Sequence, residues 1–127
     1  MLINLRSQMK IIVCGSQNYQ NQSLLTNALR EYTRRHKVST IVIGTEPGAE
    51  TMTAEWAMQN GVRLSIIPTD RKVPREHAVI ERNKRLIATH HDAKAVLHFV
   101  GSEGSEDLCL RALGSNMVVD DVVGAVR

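Results

Sequence analysis

Aromatic residues are nearly missing from this chain, which has one Trp, two Tyr and one Phe among 127 residues. A core of this size must therefore be aliphatic, and a base-stacking platform has little to be built from. No apolar run approaches a membrane span. The opening "MLINLRSQMK" lacks the apolar stretch of a signal peptide. The two cysteines, Cys14 and Cys109, stand far apart in no metal-ligand spacing, so no metal or cofactor is assigned. A reducing cytoplasm is the expected compartment. The net charge of +3 is too small by itself to argue for nucleic acid. Its distribution is uneven: Arg34, Arg35, His36 and Lys37 cluster, and a second basic group runs from Arg71 to Arg85. These are either solvated helix ends or an anion-binding rim.

What the chain has in quantity is Val, Ile and Leu, in short runs that alternate with helical stretches. The runs "KIIVCG" (10–15), "STIVIG" (39–44), "VRLSIIP" (62–68), "AKAVLHFVG" (93–101) and "NMVV" (116–119) read as strands. Between them, residues 21–37, 47–60, 75–90 and 105–113 carry helical periodicity. Asn21 or Ser23 can cap the first helix, and Pro47 suits the first turn of the second. The tail "DDVVGAVR" is ambiguous. This rhythm predicts an α/β three-layer sandwich around a five-stranded parallel sheet of order 3-2-1-4-5. Residues 9–127 form a single domain in this reading. Residues 1–8 are an N-terminal extension or an added edge strand.

Ligands of such sheets bind outside the carboxyl ends of the strands, where the winding direction reverses. That rule selects three loops: "GSQN" (15–18), "GTEPGAE" (44–50) and "GSEGSED" (101–107). Each opens with glycine and leads into a helix, whose free N–H groups and dipole favour an anion. Gly15, Ser16, Gln17, Gly44, Thr45, Glu46, Gly48, Glu50, Gly101, Ser102, Gly104 and Ser105 are the candidate ligand-binding residues from these loops. Arg82 and Asn83 join them from the third helix. Arg82 either contacts a phosphate or carboxylate, or is an exposed helix arginine. Asn83 falls on an apolar helix face, so it either ties down a loop or reads a ligand. Glu50 either serves ribose hydroxyls or general-base chemistry, or is a first-turn acid favoured by the helix dipole. Cys14 reads as a buried inert thiol. His77 and His98 have no ligand-spaced partner in the sequence, and Trp56 and Met52 read as core.

"MKIIVCGSQNY", "VIGTEPGAETMTAEWA", "ERNKRLI" and "HFVGSEGSEDL" occur in this order. Together they resemble the motifs of the YspA-like (cpYpsA-related) branch of the SLOG superfamily, a Rossmann-like group related to DprA/Smf and LOG proteins. The likeness runs over residues 9–119. It implies a small nucleotide or nucleotide-derived ligand, bound at the strand ends by a sensor or sequestering protein, and self-association into a homo-oligomer. Whether a reaction occurs is left open. Hydrolysis of an N-glycosidic or phosphate bond, with Glu50 or Glu106 as base, is one alternative. Single-stranded nucleic-acid binding is another, and an interaction module with a vestigial pocket is a third. Leu108 stands where LOG enzymes resemble one another in a catalytic carboxylate, so no LOG activity is expected. Gln17, Thr45, Pro47 and Ser102 depart from the family pattern, which has more glycines and one more arginine. Glu46, Glu50, Glu103, Glu106 and Asp107 would repel a phosphate that they faced.

Overall fold

Continuous apolar runs become buried strands because parallel sheets are covered on both faces. The computed structural model describes residues 9–122. Its strands are β1 (Met9–Gly15), β2 (Val38–Ile43), β3 (Arg63–Ile66), β4 (Ala95–Phe99) and β5 (Val118–Val122). They form one parallel sheet of order β3-β2-β1-β4-β5, as the sequence predicts. The helices are α1 (Gln22–His36), α2 (Ala49–Gln59), α3 (Arg75–Thr89) and α4 (Glu103–Gly114). The proposed extension at residues 1–8 and the end of the ambiguous tail lie outside the described residues.

Strand alternation sorts the core into two halves. Ile11 and Val13 of β1 face Leu25, Leu29 and Tyr32 of α1 and Trp56 and Ala57 of α2. Ile12 and Cys14 face Leu86 of α3 and Leu108, Cys109 and Ala112 of α4. Two helices thus cover each face, giving the three layers. In β1 and β4 the register sets Cys14 opposite His98 and Gly15 opposite Phe99. Their carboxyl ends, and the loops that follow, therefore lie side by side.

Boundaries shift where local chemistry overrides periodicity. Asn21 caps α1, its Oδ1 accepting from Leu24 N at 3.1 Å. The second helix begins at Ala49, two residues after Pro47, because Gly48 holds φ at +80° and cannot be helical. The fourth begins at Glu103, two residues before the expected start, because Ser102 and Ser105 form a reciprocal capping box. The fifth strand begins after Asn116, which turns the chain at φ +68°, and it takes in Asp120 and Asp121 of the tail.

Candidate functional site

A cleft of about 700 Å³ opens at the carboxyl ends of β1 and β4. Its walls are the loop 15–18, the start of α4 and one stripe of α3. Nine of the expected residues line it: Gly15, Ser16, Gln17, Glu46, Glu50, Arg82, Ser102, Gly104 and Ser105. Asn18, Arg75, Val79 and Ile80 line it too, outside the expected set, as do Glu103 and Asp107, two of the carboxylates that would oppose a phosphate. Arg75, Val79 and Arg82 follow i, i+4, i+7 spacing, so the placement of Arg82 carried the signal for the other two.

The floor is a buried ion pair. Arg82 and Glu50 are 2% and 3% exposed, with Nη2 3.3 Å from Oε2 and Nη1 3.4 Å from Oε1. Arg82 is therefore no exposed helix arginine. Glu50 Oε1 also accepts from the Glu46 backbone N–H at 2.8 Å. Burial raises the pKa of Glu50, and the guanidinium pulls it back toward ionisation. Both charges are largely spent on each other.

Five expected residues do not line the cleft, and four of those support it. A Cβ on Gly44 would overlap the Arg82 guanidinium, so this glycine makes room for the ion pair. At Gly48 the backbone passes against the carbonyls of Ser16 and Gln17, in a left-handed conformation that favours glycine. Gly101 sits against the Glu106 carboxylate and the His98 ring. Asn83 is fully buried and donates through Nδ2 to Gly104 O at 2.9 Å and to Asp107 Oδ2 at 3.0 Å. Its Oδ1 accepts from Arg82 Nε at 3.1 Å. Of its two readings, tying down a loop is the one these bonds describe. Thr45 faces a neighbouring depression lined also by Pro47, Pro68 and Arg71.

Two of the expected serines accept hydrogen bonds from the backbone of their own loops. Ser16 Oγ accepts from Asn18 N at 3.0 Å, and Ser105 Oγ accepts from Ser102 N at 2.8 Å. At the rim, Arg75 Nη2 donates to Gln17 Oε1 at 3.1 Å and stands 3.9 Å from Glu46. Burial disfavours the Asp107 carboxylate, but bonds from Arg111 and Asn83 outweigh it and hold its pKa below the ordinary value. Arg75 is thus the most accessible cation of the cleft, and Glu46 and Glu103 are carboxylates without a close buried partner.

Beneath Ser105 the fold joins residues that the sequence kept apart. Cys14 is buried as expected, but it is not isolated: one ligand atom each of Cys14, His98 and Cys109 lies within 4.8 Å of the others. His98, expected to stand alone, has Nδ1 2.7 Å from Asp121 Oδ1 and Nε2 2.9 Å from Ser105 Oγ. A hydrogen bond between the two thiols pushes the Cys14 pKa well up, with burial adding to it, and pulls that of Cys109 down to about 6. His98 rises to about 9 through its contacts with Cys109 and Asp121.

A family model described as YspA, cpYpsA-related SLOG family matches residues 9–73. No curated protein matches the chain. Among solved structures, DNA processing protein A (DprA) from Streptococcus pneumoniae superposes with a TM-score of 0.72 and 18% sequence identity. The match covers 94% of this chain and 52% of that one, so this chain spans about half its length. At that identity the likeness is one of fold.

Proposed function

The chain belongs to the YspA, cpYpsA-related SLOG family, and on that premise we propose that it binds a nucleotide or nucleotide-derived small molecule in the cleft. One observation carries the reading: the loops after β1 and β4 and a stripe of α3 enclose one cavity of about 700 Å³ where the winding reverses. That is the position and size of a small-molecule site in an open α/β sheet. The buried Arg82–Glu50 pair and the Asn83 bonds hold its walls rigid, which suits a sensor or a sequestering protein.

The structurally similar protein is named for DNA processing, but the basic residues here do not form one stripe. Arg34, Arg35 and Lys37 lie at the end of α1, where the chain enters the start of β2. Arg71, Lys72 and Arg75 lie beyond the carboxyl end of β3. The first cluster lies at the amino ends of the strands and the second at their carboxyl ends, so the two do not join into one electrostatic track for a nucleic-acid backbone.

The test is a thermal-shift survey of mononucleotides, cyclic nucleotides and ADP-ribose derivatives, with native mass spectrometry of the purified chain. At least one compound is expected to raise the melting temperature, and Val79→Trp, which fills the cleft, to abolish that rise. No shift with any of them, together with no co-purifying mass, would overturn the proposal.

A further inference from the structure

The group under Ser105 is a separate constellation, built from three elements. Cys14 ends β1, His98 sits opposite it on β4, and Cys109 comes from α4. Their ligand atoms already lie within 4.8 Å of one another, and each residue is at least nine-tenths buried. Around a tetrahedral zinc ion, bonds of roughly 2.0–2.3 Å set ligand atoms roughly 3.5–4 Å apart, so only small side-chain adjustments separate this group from a coordination shell. The imidazole is also oriented: Asp121 occupies Nδ1 at 2.7 Å, which leaves Nε2 as the nitrogen able to bind a metal. A carboxylate behind a metal-binding imidazole is the usual outer-shell arrangement. Two thiolates and a divalent cation sum to zero charge, which suits a site among Ile12, Val96, Leu108 and Ala112.

We infer that Cys14, His98 and Cys109 form a three-ligand site for a soft divalent cation of the zinc class. Water, or Ser105 Oγ at 2.9 Å from Nε2, supplies the fourth ligand. Soft thiolates with one imidazole select zinc over magnesium or calcium, which take oxygen ligands. Because Ser105 also lines the cleft, the cation stands directly beneath the cleft wall. A disulfide between the two cysteines is the competing use of these sulfurs, but it would leave the oriented imidazole without a role.

The experiment titrates the reduced full chain with cobalt(II), excluding air, and then with zinc(II). One equivalent of cobalt is expected to produce an intense thiolate-to-metal band and tetrahedral visible bands, both bleached by zinc. Cys109→Ser, which leaves one thiolate of the two, should cut the thiolate band by half or more. Asp121 is 69% exposed, so Asp121→Asn retains the fold. It should weaken cobalt binding about 10–100-fold, as loss of an outer-shell carboxylate does. An octahedral spectrum, unaltered affinity in Asp121→Asn, or thiols labelled equally fast with and without zinc would each overturn the proposal.

Discussion

Arg82 and Glu50 show how little room single residues leave at this site. Their charges are buried at 3.3 Å, and a side chain at Gly44 would displace the guanidinium. Removing one partner of a buried pair strands the other charge. Arg82→Met is therefore expected to destabilise the fold by about 3 kcal/mol in urea titration. Arg82→Met combined with Glu50→Gln should recover much of that loss; equal losses in the single and double variants would show that the pair is uncoupled. His90 permits a pH test. Its Nε2 lies 2.9 Å from Ser65 Oγ and its Nδ1 3.4 Å from Lys10 Nζ. Burial, and then the lysine charge, lower its pKa below the ordinary 6.5. The unfolded chain binds this proton more readily, so the stability concerned is complete above pH 6.5 and declines as pH falls through the folded value. His90→Gln should flatten that part of the urea-midpoint profile between pH 7 and pH 5; a profile identical to the parent's would refute the assignment.

At the scale of elements, periodicity carried strand order and helix number, because burial on two faces writes itself as apolar runs. Asn21 as a cap was equally legible. Pairing register was not. Nothing in the spacing of Cys14, His98 and Cys109 says that β1 and β4 align Cys14 with His98, or that α4 then lowers Cys109 onto both. The Arg82–Glu50 contact was hidden for the same reason, since it joins two helices through a gap left by Gly44. Strand ends are not legible where the backbone departs from its period. The fourth strand stops at Phe99 because Val100 takes φ +46°, an uncommon conformation for a β-branched residue. Val100 O holds Ser16 N at 2.8 Å, so this strained corner joins the two loops of the cleft. Val100 is 58% exposed and contributes little packing. Asn tolerates this region, so Val100→Asn should raise stability by about 1 kcal/mol, read as a higher urea midpoint at constant slope. A lower midpoint would mean that the corner is not strained.

For the whole molecule, the winding of the sheet decides where ligand chemistry can occur, and the charges around the cleft decide which chemistry it is. The glycine-led loops made the position of the cleft legible, but not its electrostatics, because sequence cannot say which carboxylates are already paired. Glu50 is neutralised by Arg82, and Asp107 is held by Arg111 and Asn83. Arg75 then faces Glu46 and Glu103 as the remaining charges of the lining. A triphosphate brings up to four negative charges to a rim with one accessible cation, whereas a nucleoside or monophosphate brings far fewer. The cleft should therefore prefer ligands of low charge, with larger thermal shifts for monophosphates and cyclic nucleotides than for triphosphates. Each opposing carboxylate near the ligand costs about 1 kcal/mol in a surface cleft, or about fivefold in affinity. Glu46→Gln with Glu103→Gln should raise triphosphate affinity by more than tenfold, with a much smaller change for the uncharged nucleoside. Arg75→Ala should weaken monophosphates and leave the nucleoside unaffected. Calorimetry of the parent and each variant with these ligands measures both effects, and a parent chain that already favours the triphosphate would show that the carboxylates turn away from the bound ligand.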